Sequence, residues 1–493
     1  MASEAQLPKS KIDVLNAKTF EFDQIDGMKV RKLIGEVRLK QDNTLLYCDS
    51  AYQFEATNYV EAYQNVHIHS NDSIHIYGDL LKYYGNTKRV RMERNVRMND
   101  NTMFLTTNSI DYDLSTGNAY YTSGGRMVNS TSVLISKYGY YNTKTREFFF
   151  KKDVVLTSPE YTIKGDTLKQ NTLTNITYFL GPTTINTGRE TIYSENGYYN
   201  NIKDQAVFSE NAKLQNAQNV LTADSIFFDR KINFGRAYRN ITIVDKQNSV
   251  EIHGHYGELL QYKKQSFVTQ KAYAKKILEK NDSMYLIADT IYSYQRDSFL
   301  RQKQYIKAYR NAQLLKIDIQ SVCDSMVYQQ DDSCITMYYM PVMWSGQNQI
   351  TADTIQLFIN NNKLDSFYLL TNAFLISRET ALAFNQAKGK LMKGKFRDSK
   401  IEYIHVMSNA QSIYYPKEEK DSTYIGVNVI DCSEMEFYFD KNKIKKCNFI
   451  TEPQATLYPI GELKPEELKL KGFKWQQGKK PTLKSVLKYF TKN

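Results

Sequence analysis

Apolar and polar residues alternate along this chain in short runs, and the phase of the alternation slips at regular places. Leu221 and Ala223 share one parity, Ile226 and Phe228 the other, and Ile350, Ala352, Ile355 and Leu357 repeat the pattern. Period-2 alternation means β-strand, with one row of side chains turned inward. For both halves to face the same interior, the strand must bend or bulge at the Asp-Ser or Asp-Thr between them. Such residues suit a corner, because their side chains bond nearby backbone donors. A second kind of run has Val90 and Met92, then Val96 and Met98, with Arg94 between; Phe148, Phe150, Lys152, Val154 and Leu156 match it. The interruption predicts a second corner. Each unit is thus two bent strands with one apolar and one polar face.

The units recur at fixed spacing. A small residue, then Asp, then Ser or Thr, then an apolar residue appears as CDSA, GDLL, TNSI, GDTL, ADSI, ADTI and CDSM, with conservative changes. The acidic position falls at Asp49, Asp79, Asn108, Lys137, Asp166, Glu195 and Asp224, at intervals of 30, 29, 29, 29, 29 and 29 residues. A second phrase lies 16 residues after the first, at Asn65-Val66, Asn95-Val96, Asp153-Val154, Asn211-Ala212 and Asn240-Ile241. Beyond about residue 255 the units lengthen, and the extra residues are expected in outward loops, where stacked repeats tolerate insertions. A degenerate first unit stands at Ala17 to Phe20 and Gly35 to Val37. These anchors predict continuous repeats over residues 12–455 and a separate tail over 456–493.

Composition agrees with strand: 38 tyrosines and 24 phenylalanines accompany only nine prolines among 493 residues. The net charge of +12 suits an acidic partner, yet 65 Lys+Arg are scattered among 53 Asp+Glu, as on a solvated outer surface. Nucleic acid is not expected as a partner. Cys48, Cys323, Cys334, Cys432 and Cys447 form no CxxC pair and have no histidine at metal spacing, which argues against zinc. Being odd in number, they leave at least one thiol unpaired. No run approaches the roughly 20 apolar residues that cross a bilayer as a helix. MASEAQLPKSKID lacks the apolar stretch of a signal peptide, so the expectation is either a cytosolic protein or one whose signal was removed.

Read together, A-D-x-I-x-Y followed by G/N-N-V-x-I resembles the OstA/LptA family of lipopolysaccharide transport. LIGEVRLKQDNTLLYCDSAYQF and YVEAYQNVHIHSNDSIHIYGDLLKYY are similar to its longer OstA-like members. The resemblance runs through nearly all of the repeats, each one a weak motif. It implies an all-β fold, an elongated open β-jellyroll (β-taco) solenoid of about 29-residue repeats, in the periplasm, either free or associated with the outer membrane. It further implies an apolar groove that carries the acyl chains of lipopolysaccharide, with other jellyroll components at the inner and outer membrane as partners. No cofactor and no active site are expected. The chain departs from the family's short bridge proteins in being several-fold longer, and it has no extended membrane-barrel portion at its C-terminus.

By inward parity, the groove candidates are Leu221, Ala223, Ile226, Phe228, Leu286, Ala288, Ile291, Ile350, Ala352, Ile355 and Leu357. The small residues before each Asp leave room either for close packing of the walls or for a ligand. The strand Leu33 to Leu39, with Val37 at its middle, is the candidate free edge for head-to-tail pairing with a second sheet. His67 and His69 share a strand face that offers two metal ligands without an evident third, and a polar outer face is the plainer reading. Pro465 and the stretch Thr482 to Phe490 suggest short helices in the tail, as an end cap or as a docking segment anchored by Phe473 and Trp475. Two other functions share these repeats: a structural or adhesive solenoid with a filled core, and a β-helix enzyme on acidic glycans.

Overall fold

The computed structural model describes residues 10–70, 74–100, 103–260, 263–279, 282–297, 302–361, 363–398, 400–418, 423–441 and 443–487. Strand accounts for 72% and helix for 2%, so the all-β expectation holds. Every strand ladder is antiparallel, and neighbours in the chain pair with one another. The chain divides into two compact units, one of residues 1–217 with 225–231, the other of 218–224 with 232–493.

In the first unit the ladder proceeds strand by strand through Met28–Gln41, Thr44–Phe54, Tyr59–Ser70, Ile74–Tyr84 and Arg89–Asn99. Its inward side chains are Leu46 and Cys48, then Ala51 and Gln53, so the parity switch falls between Cys48 and Ala51, as read from the pattern. On the next strand Val60, Ala62, Val66 and Ile68 turn inward and Gln64 and Asn65 turn out.

The two sequence phrases prove to be the two halves of one corner. Gln64 and Asn65 both lie in the left-handed region, with φ of 61° and 49°, and together they oppose Asp79 alone. Two residues against one is a β-bulge, which turns the strand. The same left-handed pair recurs at Arg94–Asn95, Lys152–Asp153, Glu210–Asn211, Arg239–Asn240, Arg310–Asn311, Thr371–Asn372 and Ser408–Asn409. Asparagine tolerates positive φ better than other side-chain-bearing residues, which explains its prevalence. The offset of 16 residues is a hydrogen bond: the Asn65 amide donates to Asp49 at 2.7 Å and Asn95 to Asp79 at 2.5 Å. Asn211 donates likewise to Glu195 at 3.0 Å and Asn240 to Asp224 at 2.9 Å. Gly35 and Glu36 make the corner of the degenerate first unit, where the Lys18 amide donates to the Gly35 carbonyl.

The candidate free edge is corrected. Leu33 pairs with Ala51 on one side and with Phe20 on the other, and Leu39 pairs with Leu46 and with Val14. The strands Asp13–Asn16 and Thr19–Ile25 lie outside it, so Leu33, Val37 and Leu39 are buried core. Alternation marked the strand but could not reveal that the residues before it double back.

In the second unit the bent strands become longer, reaching 16 residues at Lys363–Arg378, and one apolar cluster runs from Val268 to Phe439. The tail is part of this unit. Beyond Tyr458 it runs back beside the hairpin ends. The Gln386 amide donates to the Leu468 carbonyl at 2.8 Å, and the Gln349 amide to the Lys474 carbonyl at 2.7 Å. Phe473 and Trp475 pack on Phe384, at 5.4 and 5.3 Å between ring centroids. The segment after Pro465 forms turns, and the helix is Leu483–Leu487, with Val486 buried against Ile287 and Leu315. This is a strap along one side of the unit; residues 488–490 of the expected helix lie outside the described ones.

Candidate functional site

Whether a lipid enters depends on where the inward rows are sealed. In the first unit they are sealed tightly. Val60, Ala62, Leu81 and Met92 have no exposed surface. The small-residue column is close packing there, since a Cβ on Gly78 would come within 2.6 Å of the Met92 side chain. Of the two uses open to that column, wall-to-wall packing is the one realised at Gly78.

The second unit differs between residues 219 and 335. A cleft of about 570 Å3 opens there, with Val250, Ile252, Met284, Leu286, Ile306 and Leu314 among its apolar lining. Ile252, Met284, Leu286 and Ile306 are only partly buried, although they continue the same inward rows. The rim is polar, with Asn219, Asp245, Gln247, Gln295 and Gln304. Gln330 and Asn248 bridge it, amide nitrogen to amide oxygen at 3.3 Å. Lys276 lines the same cleft with its ammonium 5.7 Å from the centre of the Tyr328 ring, and burial pushes its pKa down. An apolar trough with one poorly solvated cation in its lining suits a chain-like apolar ligand with an acidic head.

The eleven groove candidates all turn inward or partly inward, but they do not share one site. Leu286 lines the cleft. Ala288, Ile291, Ile350, Ala352, Ile355 and Leu357 are sealed in the apolar cluster, at 5% exposure or less. Ala223 and Ile226 are buried, and Leu221 and Phe228 are half-buried outside the cleft. The sequence reading missed Val250, Ile252, Met284, Ile306 and Leu314. Met284, Ile306 and Leu314 fall where the units lengthen after residue 255, whereas Val250 and Ile252 precede that change and carry no such signal.

The histidine pair does acquire a third imidazole. His67 Nε2 lies 3.0 Å from His75 Nδ1, and His69 stacks on both rings. Tyr47 and Tyr77 stack on His67 in turn. Burial first, then the neighbouring imidazoles, lowers the His67 pKa to about 4. The rings lie nearly parallel instead of converging, and among the described residues no three His, Cys, Asp or Glu side chains are placed to hold a metal ion. All five cysteines are free, and burial raises the Cys48 and Cys323 thiols to about 12. Among the described residues no helix is long and apolar enough to cross a membrane.

The class these features define is an antiparallel β-repeat protein with inward apolar rows. Residues 9–166 and 164–224 match the OstA-like protein family, which is consistent with an OstA/LptA-like protein. That family is one of transport and binding, acting in lipopolysaccharide or organic-solvent transport through the periplasm. No curated protein matches the chain.

Proposed function

We infer that the protein is a periplasmic carrier whose second unit takes an acyl chain of lipopolysaccharide into the cleft between residues 219 and 335, on the way to the outer membrane. The observation that carries this reading is the opening of an otherwise sealed apolar row in a chain of a lipid-transport family. A volume of about 570 Å3 falls within the roughly 300–1,000 Å3 of small-molecule sites. Each methylene buried contributes about 0.8 kcal/mol, so one chain suffices for firm binding. Lys276 would meet the acidic head group from the cleft lining. The protein performs no chemistry on its cargo in this reading, and it hands the lipid to other jellyroll components of the bridge.

For the first unit a structural role is favoured by its filled interior, which makes it a spacer or docking element. Sheet pairing with a partner, or head-to-tail with a second copy, would then use the outer strands Asp13–Asn16 and Thr19–Ile25, whose side chains are almost all exposed.

A photo-crosslinking residue placed singly at Met284, Leu286 or Ile306, in cells making lipopolysaccharide, is expected to capture lipid. The same residue at sealed Ile350 or Leu357, or at Asp229 or Lys231, is expected to capture none. Equal capture at all positions would exclude the cleft as the lipid site.

A further inference from the structure

The first unit carries a second cavity, on the outer face and unconnected with the inward rows. The hairpin tip at Ile25 to Met28 overhangs the sheet and, with Tyr52, Phe54, Tyr59, Tyr63 and Tyr84, encloses about 610 Å3 of open pocket around Glu61. The rings form two groups: Tyr59 lies 4.8 Å from Tyr84 and 5.5 Å from Phe54, and Tyr52 meets Tyr63 edge-on at 5.8 Å. Glu61 is held at the centre by two phenols. The Tyr59 hydroxyl donates to one carboxylate oxygen and the Tyr63 hydroxyl to the other, each at 2.6 Å. Burial pushes the Glu61 carboxyl up, but these two hydrogen bonds and nearby Lys82 outweigh it, and the net displacement is downward.

Among the described residues no ion pair closes on that carboxylate, although the Lys82 charge acts on it from across the ladder. Lys32 is engaged by Glu21 at 3.2 Å and Arg31 by Glu55 at 2.6 Å. The remaining charge in the wall is Asp26, also acidic. A fixed anion walled by electron-rich ring faces is the arrangement that holds organic cations, through cation–π attraction added to ordinary charge pairing.

We propose that this pocket binds an alkylammonium group, either free or at the head of a lipid. The protein carries a net charge of +12, so an anionic aromatic pocket stands out against its general preference for acidic partners.

Calorimetric titration of the full chain with choline and with 3,3-dimethylbutan-1-ol, its uncharged isostere, tests the proposal. Choline is expected to bind and the isostere to bind about tenfold more weakly, the factor a cation–π and charge contribution supplies. Glu61→Gln is expected to weaken choline by a similar factor. Tyr84→Leu, at an exposed position outside the carboxylate's hydrogen bonds, is expected to weaken it while leaving the thermal midpoint unchanged. Phosphatidylcholine vesicles separate the two sources. Sedimentation with vesicles that both substitutions abolish assigns a lipid head group, and choline binding without sedimentation assigns a free cation. No heat with choline, equal binding of the isostere, or choline binding that survives both substitutions overturns the proposal.

Discussion

The two units use the same corner and fill it differently. In both, a left-handed pair ending in asparagine turns one strand and bonds the acidic residue of the strand before, as Asn95 does to Asp79 and Asn311 to Asp289. In the first unit the interval stays near 29 residues and inward side chains such as Val60, Ala62, Leu81 and Met92 interlock with no exposed surface. In the second the interval lengthens, and between residues 219 and 335 the rows part into a cleft. The corner sets the architecture, whereas the size and spacing of inward side chains set whether there is room for a guest. A repeat can therefore be a spacer in one stretch and a binding site in another without changing its fold.

The largest expected effect distinguishes the interiors. Leu81→Ala, in the sealed row, should cost about 2–5 kcal/mol through lost burial and the cavity left behind. Leu286→Ala, already half in water, should cost about 1 kcal/mol or less. Denaturant midpoints for the two variants measure the contrast, and equal losses would mean that the cleft is as tightly packed as the first unit.

The corners should behave alike. Asn95→Val forces a β-branched residue to φ of 53° and removes the bond to Asp79, for about 1–3 kcal/mol. Asn95→Gly keeps the conformation and loses mainly the hydrogen bond, about 1 kcal/mol. The same pair of substitutions at Asn311 should reproduce both values. A corner in the second unit that tolerated valine would break the equivalence.

The strap belongs to the second unit alone. Replacing Phe473 and Trp475 together by Ala removes its contacts with Phe384 and should expose residues 459–487 to limited proteolysis while the strands stay intact. Mass spectrometry of the fragments locates the cuts. Cleavage no faster than in the unaltered protein would show that the bonds to Gln349 and Gln386 hold the strap by themselves.

The smallest effect is a pH dependence carried by His67 in the first unit, while burial displaces His253 of the second unit in the same direction. The folded-state His67 pKa of about 4 lies below the ordinary 6.5, so the unfolded chain takes up that proton first. The contribution is fully present above pH 6.5, is lost as pH falls from there to about 4, and changes no further below. Thermal midpoints over this range should fall less for His67→Gln than for the unaltered chain. Parallel curves would assign the acid sensitivity to other groups.

The local grammar of the fold was legible in the sequence because it is written at short range. Alternation with a parity switch between Ala223 and Ile226 specified a bent strand, and the offset of 16 between Asp49 and Asn65 already contained the corner hydrogen bond. A hairpin brings those residues together whatever surrounds it. The free edge at Leu33 to Leu39 was misplaced because pairing on a strand's second side depends on where the preceding residues fold, which alternation does not encode. The tail's anchors were legible as Phe473 and Trp475, but that they bind Phe384 of their own chain required the three-dimensional path.

The same limit governed both candidate sites. Inward parity singles out Leu286 and Leu357 equally, and only packing across the interior decides that one lines a cleft while the other is sealed. Tyr59, Glu61 and Tyr63 alternate with inward Val60 and Ala62 along one strand. The overhanging hairpin at Ile25 to Met28 is what turns them into a pocket. Direction along a strand is a property of the sequence, because the period is two residues. Free volume is a property of the tertiary structure, because it is the difference between surfaces contributed by strands far apart in the chain.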